Sequence, residues 1–215
     1  MFRFFTPGFA IIVICLLLAS CATVEQQPVE DIVVEKEKAV IEPAGWLAEQ
    51  QQRQQIRVWE IRGRLGVQTE TNGGSMDIIW KQSNEDYSIH LIPPLGAGSY
   101  LIQGNSQFAE IRYPDGHKAL INNIDEAFSS ALEIDLPANA VKDWIRGLPA
   151  ASLSIESIKW NEQGLLNRIE QSGWNVEMKK YTGTSILLPH LVYLSHDDNE
   201  ALDVRLALRQ WMLDN

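Results

Sequence analysis

The sequence predicts a mainly β fold: one antiparallel sheet of about eleven strands that curls or closes into a barrel, with a small helical lid. Apolar and polar residues alternate in short segments between Trp59 and Leu208, and turn signals separate these segments at short, even spacing. Helical periodicity interrupts the pattern only once, between residues 122 and 149. A sheet with so many strands in one domain normally curls or closes, and such a barrel has room for an apolar ligand.

Residues 1–20 have the features of a bacterial lipoprotein signal peptide. Arg3 precedes an apolar run at residues 9–18, and the sequence Leu-Ala-Ser-Cys then ends at Cys21. An uncleaved membrane anchor is the alternative, but it needs roughly 20 successive apolar residues, whereas polar residues from Thr23 onward end this run. The pattern resembles the lipobox of bacterial lipoproteins, which implies cleavage before Cys21 and its acylation. Several acyl chains on Cys21 would anchor the protein durably.

Residues 21–45, beginning with the lipidated Cys21, are expected to form a disordered acidic tether. Residues 22–44 include no aromatic residue and only scattered aliphatic ones. Ala22 follows the cysteine, whereas lipoproteins kept in the inner membrane of enteric bacteria typically have Asp at that position. By this resemblance the sequence favours the periplasmic face of the outer membrane of a Gram-negative bacterium.

Charge and cysteine content exclude several kinds of partner. Without residues 1–20 the chain has 17 basic and 28 acidic residues, a net charge of −11, which argues against a nucleic-acid partner. Cys15 leaves with the signal peptide and Cys21 takes the lipid, so no thiol remains for a disulfide, a metal or a nucleophile. We therefore expect no cofactor other than the covalent lipid on Cys21. Residues 46–215 are long enough for a single domain, expected to be a monomer.

The first half of this domain is predicted to be a polar helix followed by an antiparallel meander. Residues 46–55 are good helix formers with few apolar positions and should lie on the surface. Alternation then predicts six strands, at residues 59–67, 76–81, 87–91, 99–103, 108–113 and 117–121. The turn at Pro114-Asp115-Gly116 has a clear mechanism, because Pro fixes one φ and Gly takes the positive one.

Two short helices follow. Asn122 or Asn123 can cap a helix in which Ile124, Phe128 and Leu132 lie on one face. A second helix at residues 138–146 carries Val141, Trp144 and Ile145 on one face and ends at Gly147-Leu148-Pro149. This apolar surface either packs on the sheet as an ordinary helix layer or closes the mouth of a cavity, and the pattern alone leaves both open.

Alternation resumes after the helices and predicts five more strands. They lie at residues 153–160, 165–170, 174–181, about 188–194 and 202–208. Glycine-containing turns or the run Asp197-Asp198-Asn199 separate them. The total of about eleven strands is the basis for the barrel prediction.

Catalytic and metal-binding motifs are not evident in the sequence. It contains no Gly-x-Ser-x-Gly elbow and no glycine-rich phosphate loop, and its four histidines lack ligand spacing. We therefore expect neither an enzyme nor a metal site. Tryptophans can stack on sugars, but Trp59, Trp80 and Trp160 occupy the apolar phases of strands, which favours packing in a core or a cavity.

An ordered set of short motifs resembles the LolB family of outer-membrane lipoprotein receptors. They are the lipobox, Ile61-Arg62-Gly63-Arg64-Leu65, Trp80-Lys81-Gln82, Pro94-Leu95-Gly96, Leu136-Pro137, Trp144-Ile145-Arg146-Gly147-Leu148-Pro149 and Gly173-Trp174-Asn175-Val176. The resemblance implies an incomplete antiparallel barrel, lidded by helices, with an apolar cavity for the acyl chains of lipoproteins. It also implies delivery of these lipoproteins by the periplasmic carrier LolA and their insertion into the outer membrane. Because no nucleotide site is found, transfer should need no nucleotide hydrolysis.

Two sets of site residues are expected. The cavity and lid are assigned to Trp59, Ile61, Leu65, Ile78, Trp80, Ile89, Leu91, Phe128, Leu132, Trp144 and Ile145. The second set is the loop around Pro94, Leu95 and Gly96. The residues alone favour a Leu95 that folds back onto the barrel rim, whereas the resemblance implies a leucine that projects outward and helps deliver cargo into the membrane.

A second interpretation stays open at this point: a non-transporting outer-membrane lipoprotein with a packed barrel, acting as an envelope assembly factor or as an enzyme inhibitor. The two interpretations differ in the barrel interior. An interior that admits acyl chains supports the receptor, whereas one filled at native density supports the alternative.

Overall fold

Eleven antiparallel strands form one open sheet in the computed structural model, which describes residues 42–96 and 98–214. The strands are β1 (Val58–Gln68), β2 (Gly73–Ser83), β3 (Asp86–Ile92), β4 (Tyr100–Gly104), β5 (Ala109–Arg112), β6 (Lys118–Ile121), β7 (Ile155–Trp160), β8 (Leu166–Gln171), β9 (Trp174–Lys179), β10 (Leu191–His196) and β11 (Asn199–Leu213). Their order is β6-β5-β4-β3-β2-β1-β11-β10-β9-β8-β7, so β6 and β7 are unpaired edges. The prediction of an incomplete barrel of about eleven strands is confirmed.

The predicted signal peptide, Cys21 and the tether up to residue 41 lie outside the described residues. Within the described ranges, no helix combines the length and the apolar character that crossing a membrane requires.

The described residues form three short α-helices: α1 (Trp46–Gln54), α2 (Ile124–Leu132) and α3 (Ala138–Trp144). Of the two predicted caps, Asn122 and Asn123, Asn123 is the one used: its side chain accepts a hydrogen bond from the Glu126 backbone N–H at 2.9 Å. Helix α1 is mostly exposed, as its polar composition predicts, but Trp46 and Arg53 are buried. Trp46 packs edge-on against Trp160 of β7, at 6.0 Å between ring centroids.

The centre of the sheet is the long pairing of β1 with β11, from Trp59 opposite Leu213 to Gln68 opposite Asp203. A register shift between Arg62 and Gly63 bends this ladder. A Cβ at Gly63 would lie 2.3 Å from the Ala207 carbonyl oxygen, so only glycine allows this close approach of the strands.

Strand directions give the half-barrel two distinct ends. The β1–β2, β3–β4, β5–β6, β8–β9 and β10–β11 turns share one end, which we call the mouth end. The remaining strand connections lie at the opposite end, which we call the closed end. Helix α2 starts after β6, whose last residue is at the closed end, and its C-terminal residues line a pocket together with the β1–β2 turn at the mouth end.

Candidate functional site

The predicted cavity residues lie together on the inner side of the sheet, beneath α2 and α3. Ten of them are at most 3% exposed and belong to one apolar cluster, which partly buried Leu132 joins at its margin. Aromatic rings link the sheet to α2 in this cluster. The Trp80 ring lies 5.6 Å from that of Trp59 and 5.9 Å from that of Phe128, measured between centroids. The sheet therefore has an apolar inner face that side chains of the two helices cover and fill.

A pocket of about 940 Å³ lies at the mouth end. Its apolar lining includes Val67, Met76, Leu132, Ile134, Trp174 and Leu202. Its polar lining includes Thr69, Asn72, Glu133, Asp135, His196 and Asn199. Leu132 is the member of the predicted set that reaches this pocket. Trp174 and Leu202 are also buried in the apolar cluster, so the floor of the pocket is continuous with the covered interior.

Sequence reasoning missed most of this pocket. Val67, Met76, Trp174 and Leu202 stand at alternating positions of recognised strands, which was the available signal. The convergence of the β1–β2 turn, the β10–β11 turn and the end of α2 depends on sheet order, which alternation does not specify.

Helix α3 is bonded to the sheet by a buried glutamine. Gln171 of β8 is fully buried, and its Oε1 accepts hydrogen bonds from Trp144 Nε1 at 2.8 Å and from the Ala150 N–H at 2.9 Å. Its Nε2 donates to the Ala150 and Leu153 carbonyls at 2.9 and 3.1 Å. Buried polar groups with every partner satisfied fix one geometry, because breaking any bond leaves a desolvated group. Gln171 therefore fixes α3 and the segment after it.

A second polar contact joins the end of α3 to α1. Arg53 Nη1 donates to the Arg146 carbonyl at 3.1 Å, and Arg146 Nη1 donates to the Ile56 carbonyl at 3.0 Å. Burial lowers the pKa of the fully buried Arg53 guanidinium below its ordinary value. Burial also raises the pKa of Tyr181, whose ring centroid lies 5.6 Å from the Arg53 guanidinium carbon and whose hydroxyl donates to the Leu166 carbonyl. These contacts tie α1, the end of α3 and strand β8 together at the end of the half-barrel opposite the mouth.

Helix α2 is held differently. Ile124, Ala127, Phe128 and Ala131 bury its apolar face. Its tertiary polar contacts reach only the neighbouring helical segment: Asp125 accepts from the Asn139 N–H at 2.8 Å, and Ser129 donates to Asp135 at 3.0 Å. Across the described ranges, no hydrogen bond joins α2 to a strand. Apolar packing alone therefore attaches α2 to the sheet.

Tyr87 of β3 lies on the α2 side of the interior. Burial, and next the negative charge of Asp125, raise the pKa of Tyr87 to about 12. Its buried hydroxyl has no hydrogen-bond partner among the described residues. Within the described part of the chain, the Tyr87 hydroxyl therefore adds no hydrogen bond that would hold α2.

The loop with Leu95 leaves the same end of the sheet as the mouth pocket. Pro94–Gly96 form a 3-10 turn in which Leu95 is fully exposed and has a left-handed backbone, at φ +64°. This conformation costs a non-glycine residue roughly 1–2 kcal/mol. The side chain does not fold back onto the rim, which the residues alone favoured, but points outward. After the loop, Ser99 Oγ lies 3.0 Å from His90 Nε2, which ties the chain to β3.

These features define a class: an open antiparallel half-barrel whose apolar inner face is suited to sheltering an apolar ligand. The model of the family described as outer membrane lipoprotein LolB matches residues 57–211. The chain belongs to the LolB family, as its motifs indicate, and is an outer-membrane lipoprotein of a Gram-negative bacterium. The family serves lipoprotein localisation, which agrees with the absence of enzyme motifs from the sequence.

Two relatives illustrate the match. The outer-membrane lipoprotein LolB of Halorhodospira halophila is 30% identical over 162 residues, covering 75% of this chain and 78% of the relative. The outer-membrane lipoprotein LolB of Alkalilimnicola ehrlichii is 28% identical over 199 residues and covers 92% of each chain.

Solved structures share the fold at low sequence identity. A LolA superfamily protein from Nitrosomonas europaea has a TM-score of 0.51 and 8% identity, covering 79% of this chain and 93% of its own. A DUF1329 family protein from Desulfovibrio piger has a TM-score of 0.54 and 9% identity, covering 80% and 92%. These likenesses support the half-barrel architecture.

Proposed function

We propose that this protein is the receptor that accepts acylated lipoproteins from a LolA-type periplasmic carrier and inserts them into the outer membrane. The observation that carries the proposal is the attachment of α2: an apolar face packed on an apolar sheet, with no hydrogen bond to a strand in the described ranges. Acyl chains can replace such a cover without leaving buried polar groups unpaired.

In this proposal the acyl chains enter at the mouth pocket and extend beneath α2. Leu132 and Ala131, at the end of α2, line the pocket, and Phe128 lies one turn earlier against Trp80. Moving α2 outward removes the Phe128 ring from the interior and opens a continuous apolar surface. Each methylene buried there contributes about 0.8 kcal/mol, so acyl chains can compensate for the lost helix contacts.

Release requires a membrane at the mouth end, where Leu95 is exposed. Burying a leucine side chain in lipid contributes roughly 1.5–3 kcal/mol, enough to orient the mouth toward a bilayer but not to anchor the protein. The anchor is the predicted lipid on Cys21. The protein acts as a monomer in this scheme and transfer is downhill, since each tenfold step in affinity needs only about 1.4 kcal/mol.

The test is a transfer assay without nucleotide, using the purified full-length protein, a loaded LolA-type carrier and liposomes. Leu95→Glu should leave cargo uptake from the carrier intact and slow release into liposomes by about tenfold or more, because a charge opposes insertion. Leu47→Glu is the matched control, since Leu47 is exposed on α1, away from the mouth. The proposal would be contradicted if transfer required a nucleotide. It would also be contradicted if Leu95→Glu unfolded the protein, or if the Leu95→Glu variant released cargo into liposomes at the normal rate.

A further inference from the structure

Negative charge surrounds the mouth pocket. Glu133 and Asp135 line it, and both are exposed. The β1–β2 turn contributes exposed Glu70, and the β10–β11 hairpin contributes exposed Asp197, Asp198 and Glu200. Among the described lining residues there is no lysine or arginine, and His196 is the one side chain able to carry a positive charge. An apolar floor with an acidic rim is therefore built into this end of the fold.

The backbone of α2 adds to this field. The helix ends at Leu132 and is capped by Glu133, so its last carbonyl groups and the negative end of its dipole lie beside the pocket. Glu133 has a left-handed backbone, at φ +57°, which breaks the helix at the rim. A cationic group at the rim would gain from both the side chains and the helix terminus.

We propose that the acidic rim binds the peptide residues that directly follow the acylated cysteine of a cargo lipoprotein, and favours basic over acidic sequences there. The inference rests on the proposed function. If the acyl chains occupy the interior beneath α2, the covalently attached peptide leaves through the mouth and passes Glu133 and Asp135. The side chains of Asn72 and Asn199 on the same rim offer hydrogen-bonding groups to its backbone.

Screening by salt limits the distance over which the acidic rim can act on the peptide. Charges interact over about 10 Å at 0.1 M salt, so only the first few residues after the cysteine can sense the rim. Acidic residues there would face like charges, which cost affinity, whereas basic residues would gain it. The selectivity should therefore be strong at low salt and weak at high salt.

The experiment compares two synthetic peptides that carry the same triacylated cysteine and serine, followed by four lysines or four glutamates. Binding is measured as displacement of an apolar fluorescent probe from the full-length protein. At low salt the lysine peptide should bind about tenfold more tightly than the glutamate peptide, and the difference should nearly vanish at about 1 M salt. Glu133→Gln with Asp135→Asn should remove most of the difference.

Glu85→Gln with Glu162→Gln is the matched control, since it makes the same charge change in exposed turns at the closed end. This control should keep the full preference. Equal binding of the two peptides to the unaltered protein would overturn the inference while leaving the receptor function standing, whereas binding of neither peptide would overturn both. If the rim substitutions slow delivery from the carrier equally for every cargo and leave peptide affinities unchanged, the rim serves the carrier and the inference is wrong.

Discussion

Helices α2 and α3 cover the same sheet and were predicted from the same kind of one-sided apolar pattern, yet they are attached by different forces. Helix α3 is fixed by hydrogen bonds between Trp144 and Gln171 and, just after its end, between Arg146 and the chain around α1. Helix α2 meets the strands through apolar side chains. Apolar contact is non-directional, so another apolar group can take its place, whereas a buried hydrogen bond needs a specific partner. The difference assigns α2 as the movable cover and α3 as part of the frame.

The largest effect should come from removing the bond that fixes α3. Gln171→Ala leaves the buried Trp144 N–H and the Ala150 backbone without partners, and should lower the free energy of unfolding by about 3 kcal/mol or more. Urea titration measures this change. Gln163→Ala, in an exposed turn, is the control and should alter stability by less than about 0.5 kcal/mol. A loss below about 1 kcal/mol for Gln171→Ala would show that α3 is not held as described.

The substitution Phe128→Ala tests whether α2, unlike α3, moves to admit the ligand. It weakens the closed position of α2, with a loss of about 3 kcal/mol in stability, because Phe128 is buried. Because closure competes with the ligand, it should also raise the affinity for an acylated peptide, by about fivefold or more.

Ile145→Ala at the end of α3 is the matched substitution, since Ile145 is equally buried. It should lower stability without raising the affinity for the acylated peptide, because α3 does not open. If Phe128→Ala and Ile145→Ala changed the affinity for the peptide equally, α2 could not be distinguished from α3 as the movable cover. Phe128→Ala that lowers stability and leaves affinity unchanged would favour ordinary helix packing.

A smaller effect is expected at alkaline pH. The pKa of Tyr87 is raised to about 12 by burial, whereas an unfolded tyrosine titrates near 10. The neutral phenol therefore adds stability that is complete below about pH 10 and is lost as the pH rises from about 10 toward 12. Tyr87→Phe should match the unaltered protein at pH 7 and fall less steeply between about pH 9 and about pH 11.

Tyr181→Phe provides the contrast on the α3 side, because its hydroxyl donates to the Leu166 carbonyl. It should cost about 1 kcal/mol already at pH 7. Free energies of unfolding from urea titrations over the pH series measure both variants. Parallel pH curves for Tyr87→Phe and the unaltered protein would exclude Tyr87 as the source of the alkaline loss.

The difference between local and long-range contacts explains how much of the structure could be predicted from the sequence. Alternation located all eleven strands, and the capping signal at Asn122-Asn123 located α2, because these features depend on neighbours in the chain. Gln171 and Arg53 escaped notice since their partners lie 21 and 93 residues away, and nothing local marks a polar residue for burial. The outward position of Leu95 came from family resemblance, because local sequence did not distinguish a strained exposed turn from a leucine packed on the rim.

Hydrogen exchange of the two helices tests the central claim most directly. In the free protein, amides of Ile124–Leu132 should exchange through local opening, whereas those of Ala138–Trp144 should exchange only with global unfolding. Adding a triacylated peptide should change the exchange rates in α2 by about tenfold or more and leave α3 unaffected. Exchange of both helices at the global unfolding rate, unchanged by the bound peptide, would contradict the account of α2 as a cover that acyl chains displace.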